Sequence, residues 1–131
     1  MKERFKNKIA LVTGGGTGIG QAIAKNLADE GAFVLIVGRR EKPLIDTSAY
    51  NKNISYVAAD ITDSESIKKI VKTIEERFNG QLDILVNNAG WCPVQPITEI
   101  TVDDYDQAFN LDVRALVDMT VQTLPLLIRV C

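Results

Sequence analysis

A glycine-rich segment, TGGGTGIG at 13–20, directly follows the apolar run IALV at 9–12. A short apolar run bounded by glycines predicts a buried strand, and the pattern after it predicts a helix over 21–30. Main-chain N–H groups and the positive end of the helix dipole attract anions at such a junction. Because glycines carry no Cβ, a bulky pyrophosphate can approach the backbone there. The residues expected to hold it are Gly14, Gly16, Thr17, Gly18, Ile19 and Gly20.

The spacing of these glycines differs from two better-known phosphate motifs. The literal dinucleotide fingerprint G-x-G-x-x-G does not occur, and the spacing is Gly14-x-x-x-Gly18-x-Gly20. A P-loop requires Lys and Ser or Thr where Gln21 and Ala22 stand. The alternative interpretation is a glycine-rich turn that binds nothing. The position between a strand and an amphipathic helix argues against that alternative.

Two arginines, Arg39 and Arg40, follow Gly38 at the end of the second apolar run. An NAD site usually carries Asp or Glu here, which accepts hydrogen bonds from the adenosine ribose and would repel a 2′-phosphate. Arginine can instead bind that phosphate with two parallel hydrogen bonds. One such contact contributes roughly 1.5–3 kcal/mol, about a ten- to hundredfold preference in affinity. Arg39 therefore predicts NADP as the cofactor rather than NAD; the alternative is a pair of solvated charges.

An acidic residue, Asp60, follows the third apolar run, and Ile61 comes next. Open α/β sheets bind ligands at the carboxyl ends of their strands. Asp60 could therefore accept a hydrogen bond from an adenine amino group while Ile61 packs against the ring. Equally, Asp60 could help to cap a helix that begins at Thr62. Spacing alone leaves both interpretations open.

The sequence NNAG at 87–90 follows the fourth apolar run. Two adjacent amide side chains at a strand end can tie neighbouring loops together. Ala89 and Gly90 are small enough to leave space for a ligand. Taken alone, the segment could also be an ordinary turn.

Alternating strands and helices must position these residues. Strands are predicted at 9–12, 33–37, 54–58 and 82–86, each short and largely apolar, as parallel strands covered by helices should be. The clearest helix runs through 67–78, with a capping box from Thr62 to Glu65 and a stop at Asn79. The segment 41–53 allows only a short helix or an irregular crossover, and a long helix over 102–124 is expected to end at Pro125. This order predicts an α/β doubly wound parallel sheet forming one domain over 1–131.

Composition narrows the possible functions. A net charge of −2 gives no electrostatic footprint for nucleic acid. No apolar run approaches the roughly 20 residues that cross a bilayer, and MKERFKNK contains no hydrophobic signal region, so a cytoplasmic location is expected. The absence of histidine excludes His-based triads and the commonest metal ligand. Cys92 and Cys131 are too few and too far apart for a disulfide framework or a zinc site, so no metal is expected.

Four features follow one another along the chain: TGGGTGIG, Asp60, NNAG and Asn110 within FNLDV. With this combination the chain resembles the short-chain dehydrogenase/reductase family along essentially all 131 residues. The chain resembles the branch of that family with the turn T-G-x-x-x-G-x-G rather than the extended epimerase branch, whose turn is spaced T-G-x-x-G-x-x-G. The resemblance implies a Rossmann-like sheet with strand order 3-2-1-4. It also implies that the glycine turn binds the cofactor pyrophosphate and that Asp60 and Ile61 meet adenine. The segment from Asn87 to Gly90, with Ala89, would border the cofactor. Asn110 corresponds to an active-site asparagine that helps to hold a water in a proton relay; the alternative is an exposed helix residue without a chemical role.

The same resemblance implies hydride transfer between a nicotinamide cofactor and a small carbonyl or alcohol substrate. In that family a tyrosine passes the proton, a lysine four residues later lowers its pKa, and a serine orients the substrate. The tyrosines here are Tyr50, Tyr56 and Tyr105, and none is followed at the fourth position by lysine. We therefore expect the chain to represent the N-terminal half of such an enzyme, a dinucleotide-binding domain that is incomplete at its C-terminus and inactive alone.

An alternative function is a non-catalytic nucleotide-binding remnant or an interaction module. The 102–124 helix would expose an apolar stripe that members of the resembled family often bury against another subunit, so a homo-oligomer is expected for the full-length form. For the same reason, and because the strand at 82–86 would be an edge without its usual neighbours, we expect the isolated chain to be poorly soluble or to associate. Trp91 and Cys92 follow NNAG and could face the site or simply pack in a loop.

Overall fold

The computed structural model describes residues 3–130. Within this range, four strands alternate with helices. The strands are β1 (Ile9–Thr13), β2 (Phe33–Gly38), β3 (Ile54–Ala58) and β4 (Ile84–Val86). The α-helices are α1 (Gly18–Asp29), α2 (Glu41–Ser48), α3 (Ser64–Phe78), α4 (Val102–Phe109) and α5 (Ala115–Arg129). A 3-10 turn spans Ile97–Glu99, and a π-helical segment, Asn110–Arg114, joins α4 to α5.

The four strands form one parallel sheet with the order β3-β2-β1-β4. Leu11 on β1 lies opposite Leu35 on β2 and opposite Leu85 on β4. All five residues of β1 are buried, because helices cover both faces of a parallel sheet. The predicted Rossmann-like α/β fold and its 3-2-1-4 strand order are confirmed.

Alternate residues of the central strands supply two separate cores. On one face, Leu11 and Leu35 pack with the apolar side of α3 and with Met119 of α5. On the other face, Val12 and Ile36 pack with residues of α1 and α2. The helix residues that complete these cores are Ile67, Ile70 and Ile74 on the first face, and Ala24, Ala28 and Leu44 on the second. The strand ends that carry the predicted site are therefore held rigidly between two helical layers.

The N-cap of the helix predicted over 67–78 lies one residue later than expected, and the helix begins at Ser64. Asp63, not Thr62, is the N-cap, and its carboxylate accepts the main-chain N–H of Glu65 at 3.1 Å. The capping box from Thr62 to Glu65 is therefore wrong, because a nearer carboxylate takes the exposed N–H group. The predicted stop is confirmed, since Asn79 adopts the left-handed conformation with φ 55°.

The helix expected to end at Pro125 continues to Arg129. Proline removes one main-chain hydrogen bond from a helix interior without making the next turn impossible. Leu126, directly after it, is buried in the first core and secures that turn. The same predicted helix is also divided, because the π-helical segment interrupts it at Asn110. In the segment 41–53, Pro43 lies in the first turn of the short helix α2, where a missing N–H carries little cost.

Candidate functional site

The first turn of α1 packs closely against the glycine turn at Gly20. A Cβ at Gly20 would stand 2.1 Å from the carbonyl oxygen of Gly14 and 2.4 Å from Nδ2 of Asn88. Only glycine therefore lets α1 approach the turn at this distance. Thr17 begins α1 in extended conformation without a side-chain hydrogen bond, and the first turn of the helix carries no acidic residue. The positive end of α1 is accordingly available to an anion.

A hydrogen-bonded clasp joins the glycine turn to the segment 87–90. Oγ1 of Thr13 accepts the main-chain N–H groups of Asn88 and Ala89, both at 3.0 Å. In return, Nδ2 of Asn88 donates to the carbonyl oxygens of Thr13 and Gly14, both at 3.2 Å. The predicted tie between strand loops therefore exists, but Asn88 makes it. Asn87 instead donates to Oγ1 of Thr120 on α5 at 3.1 Å.

A cavity of about 360 Å³ opens beside this clasp at the carboxyl edge of the sheet. Nine of the predicted site residues line it: Gly14, Thr17, Gly18, Ile19, Arg39, Asp60, Ile61, Ala89 and Gly90. Asn88, within the segment 87–90 that was expected to border the cofactor, lines it as well, whereas sequence reasoning missed Thr13, Val37, Gly38, Ala59 and Leu111. Thr13 and Asn88 lie within the quoted motifs, so their positions carried a signal, whereas Leu111 is brought in by α4 and the π-helical segment.

Four predicted residues lie outside this cavity. Gly16 lines a smaller recess of about 130 Å³ between the glycine turn and α2. Gly20 serves the packing of α1, and Asn87 points to α5. Asn110 is exposed and lines a third recess, of about 290 Å³. Arg39 lines all three spaces, so it stands where they meet.

Asp60 organises the turn that precedes α3. Its Oδ1 accepts the Thr62 hydroxyl at 2.7 Å and the Thr62 main-chain N–H at 3.0 Å. The Thr62 hydroxyl lowers the pKa of Asp60, and the positive charge of Arg39 lowers that pKa further. Asp60 is therefore a carboxylate at neutral pH and an acceptor at the cavity wall. Asp63, rather than Asp60, is the N-cap of α3.

Asn110 begins the π-helical segment, a distortion found often at functional sites. It shares the third recess with Trp91 and Asp60. Two residues on, Oδ1 of Asp112 accepts the main-chain N–H of Trp91 at 2.7 Å and fastens the loop after Gly90 to this segment. The structure thus brings Asn110 to the rim of the site rather than into the main cavity.

Other kinds of site find no support in the part of the chain that the structure describes. Within residues 3–130, no group of three or more His, Cys, Asp or Glu side chains is arranged to hold a metal ion. None of the helices in this range has the length and apolar character needed to cross a membrane. Cys92 carries an exposed free thiol; Cys131 lies outside the described residues.

Known proteins resemble this chain along most of its length. The family model described as short chain dehydrogenase matches residues 8–130. An uncharacterized oxidoreductase of Staphylococcus epidermidis is 35% identical over 127 residues, which are 96% of this chain and 55% of that protein. An uncharacterized oxidoreductase of Staphylococcus aureus is 33% identical over 125 residues, 94% of this chain and 54% of that protein. The chain spans about half the length of the curated relatives it matches.

Proposed function

The chain belongs to the short chain dehydrogenase family, and we propose that it forms the NADP(H)-binding part of an oxidoreductase that interconverts a carbonyl and an alcohol. The observation that carries this proposal is the cavity at the carboxyl edge of the sheet. Its walls are the glycine turn, the ends of β2 and β3, and the segment 87–90. This is the edge at which doubly wound sheets bind dinucleotides.

The residues around the cavity fit a dinucleotide. Gly18 faces open space, with no atom within 4 Å of the position that a Cβ would occupy. The beginning of α1, with its free N–H groups and positive dipole end, suits a pyrophosphate. The Asp60 carboxylate can accept an adenine amino group, and Ile61 lines the same wall. When bound, the nicotinamide supplies or accepts the hydride, and the protein holds and orients it.

Arg39 supports a preference for NADP over NAD. It lines both the main cavity and the recess beside the glycine turn, and Arg40 lines that recess as well. No ion pair within residues 3–130 engages either arginine. Both guanidinium groups therefore remain available to a 2′-phosphate, to which arginine binds with two parallel hydrogen bonds.

Calorimetric titration of the chain with NADP⁺ and NAD⁺ tests this proposal. We expect NADP⁺ to bind at least tenfold more tightly, and Arg39→Asp to reverse that preference, because a carboxylate repels the 2′-phosphate and accepts from the ribose hydroxyls. Arg77→Asp, the same charge change in the last turn of α3, is the matched control and should keep the wild-type preference. Binding of neither dinucleotide at millimolar concentration would disprove the site, and tighter binding of NAD⁺ would disprove the NADP preference.

Turnover requires groups that these 131 residues do not contain. The sequence has no Tyr-x-x-x-Lys, the pattern in which the lysine brings the pKa of a tyrosine, about 10 when unperturbed, toward neutrality. We propose that Asn110 supports a proton relay completed by such a pair, and that this chain alone binds cofactor without oxidising or reducing substrate. Measurable NADPH oxidation by the purified chain with an aldehyde or ketone would contradict this proposal.

A second candidate function, a nucleotide-binding or interaction module that associates with its own copies, rests on α4 and α5. Together with the π-helical segment, these helices expose a row of large apolar side chains, here called the apolar helix face: Val102, Tyr105, Phe109, Val113, Leu116, Val117, Val121, Leu124 and Ile128. Contiguous apolar surface of this kind marks protein–protein contacts. We propose that it mediates homo-oligomer formation.

Sedimentation velocity of wild type and Val121→Lys tests the oligomer. Val121 is 62% exposed on the apolar helix face, so a buried lysine at a contact between copies should shift the chain toward monomer. Ile45→Lys, at a 44% exposed apolar position on α2, is the control and should leave association unchanged. A monomeric wild type would refute the proposal.

We further propose a cytoplasmic location, since the exposed thiol of Cys92 suits a reducing compartment.

A further inference from the structure

A buried polar network fastens α2 to the glycine turn. Thr47 on α2 is fully buried, and its hydroxyl donates to the carbonyl oxygen of Gly16 at 3.2 Å. The same hydroxyl accepts a hydrogen bond from Nε2 of Gln21 on α1 at 3.0 Å. Nε2 of Gln21 also lies 3.4 Å from the Gly16 carbonyl oxygen. One hydroxyl thus connects α1, α2 and the turn, and it is satisfied as both donor and acceptor.

Direct packing reinforces this connection. A Cβ at Gly16 would stand 3.0 Å from Cβ of Pro43 and 3.3 Å from Cδ2 of Leu44, so the first turn of α2 lies against the glycine turn. Thr47 makes the polar contact one turn further along the same helix. Together with the burial of Leu44 in the second core, these contacts hold α2 against the turn.

The position of α2 determines where the two arginines stand. Arg40 is the N-cap of α2, and Arg39 directly precedes it. Thr47 lies seven positions beyond Arg40, about 10 Å along the helix at 1.5 Å per residue. If the Thr47 contact is lost and α2 tilts as one rigid helix, Arg40 at the opposite end of α2 is displaced.

The recess of about 130 Å³ lies between the two elements that Thr47 connects. The glycine turn contributes Gly16 and Thr17 to its lining, and the β2–α2 junction contributes Arg39, Arg40 and Pro43. Its width therefore depends on how closely α2 lies against the turn. If the guanidinium groups stand too far from the 2′-phosphate, they cannot form the paired hydrogen bonds that would give selectivity for NADP over NAD.

We propose that Thr47 is a positioning residue for cofactor selectivity: its hydroxyl holds α2 against the glycine turn, so that Arg39 and Arg40 close on the 2′-phosphate of NADP. Because this role presupposes the proposed NADP site, its test must separate the two. Thr47 itself touches no part of the dinucleotide in this arrangement, and it acts through the backbone of Gly16 and through α2.

The test is calorimetric titration of the full chain with NADP⁺ and NAD⁺, which differ only in the 2′-phosphate. Thr47→Val keeps the shape of the side chain and removes the hydroxyl, whereas Thr47→Ser keeps the hydroxyl. We expect Thr47→Val to lower the ratio of the two affinities at least fivefold, through weaker NADP⁺ binding, with the NAD⁺ affinity changed less than twofold. Thr47→Ser should retain the wild-type ratio within twofold.

General destabilisation would not produce this pattern, since it would weaken both dinucleotides alike and leave their ratio unchanged. Circular dichroism establishes that each variant is folded at the titration temperature. Should Thr47→Val fail to fold, Gln21→Met decides the question, because it removes the amide donor that reaches both the Thr47 hydroxyl and the Gly16 carbonyl oxygen. We expect that variant to lower the ratio two- to fivefold.

The outcomes separate the two proposals. If folded Thr47→Val keeps the wild-type preference for NADP⁺ unchanged, the proposed role of Thr47 is wrong and the NADP site still stands. The same conclusion follows from Gln21→Met if that variant is used because Thr47→Val does not fold. A wild type without any preference for NADP⁺ overturns both. A lowered ratio in Thr47→Val that Thr47→Ser restores supports both.

Discussion

Residues 3–90 and residues 91–130 differ in how completely they bury their own apolar side chains. In the first region the described large apolar residues with high exposure are Ile19, Phe33, Ile45 and Tyr50. The second region exposes the whole apolar helix face, together with Trp91, Val94, Ile97 and Val130. It buries one narrow stripe, formed by Ala115, Met119, Thr123 and Leu126. The sheet with α1, α2 and α3 is therefore packed against itself, whereas α4 and α5 present a second apolar side to their surroundings.

The two regions also contribute unequally to the candidate site. Every residue that lines the main cavity comes from the first region except Leu111. The second region adds Gln107 and Asn110 to the third recess and holds the loop after Gly90 through Asp112. Cofactor binding should therefore depend on packing in the first region, while association should depend on the second.

The largest expected effect comes from truncating a core leucine of the sheet. Leu35 on β2 is fully buried, so Leu35→Ala should lower the free energy of unfolding by about 2–5 kcal/mol through lost burial and a new cavity. Leu124→Ala, at a 46% exposed position on α5, should change it by less than about 0.5 kcal/mol. Urea unfolding at protein concentrations low enough to keep the chain monomeric measures both. Equal losses would refute the distinction between the regions.

A single methyl group tests how little room the first region has. Alanine normally stabilises a helix relative to glycine by about 0.5–1 kcal/mol. At Gly20 the added Cβ would stand 2.1 Å from a main-chain oxygen, so Gly20→Ala should instead destabilise the chain by about 1–3 kcal/mol. Asn26→Ala, exposed on the same helix, is the control and should be neutral or slightly stabilising. The same urea titrations apply, and a Gly20→Ala chain as stable as wild type would show that the turn can yield.

The smallest expected effect concerns a polar contact between the regions. Oδ2 of Asp118 on α5 accepts the Ser64 hydroxyl of α3 at 2.5 Å, and Oδ1 accepts Nε2 of Gln122 at 2.8 Å. These hydrogen bonds, that of Gln122 first, lower the pKa of Asp118. A lowered pKa means that the carboxylate contributes stability at pH values above its unfolded pKa, near 3.9, and that this contribution is lost as pH falls through the native value.

Asp118→Asn should therefore cost about 1 kcal/mol at pH 6, since an amide nitrogen cannot accept the Ser64 hydrogen bond. The difference from wild type should narrow as pH falls below about 3.9, because the unfolded carboxylate then binds protons and the stability contributed by the native hydrogen bonds is progressively lost. Urea unfolding at pH 6 and pH 3 measures it, with Asp106→Asn on the exposed side of α4 as the control. A difference that stays constant between pH 6 and pH 3 would exclude Asp118 as the titrating group.

The strands were predictable because burial on both faces leaves them almost wholly apolar, as in IALV and FVLIV. The strand order could be predicted only from the family resemblance, because the sequence of an apolar strand does not show which strands lie beside it. Which of two adjacent amides ties the loops was not predictable, because Asn87 and Asn88 differ only in the direction that the backbone gives them. Capping by Asp63 rather than Thr62 was not predictable, because both side chains could accept the same main-chain N–H group. The continuation of α5 past Pro125 depended on the burial of Leu126, which the sequence does not show. The role of Thr47 was hidden, because its partner is a main-chain carbonyl 31 residues away.

The chain contains one tryptophan, Trp91, and it borders the recess that it shares with Arg39 and Asp60. Its indole is 37% exposed, and its main chain is hydrogen-bonded to Asp112. All intrinsic indole fluorescence of this protein therefore originates at the rim of the site. Changes in emission wavelength or intensity on adding a nucleotide would report local events there directly, without a label and without contributions from elsewhere in the molecule.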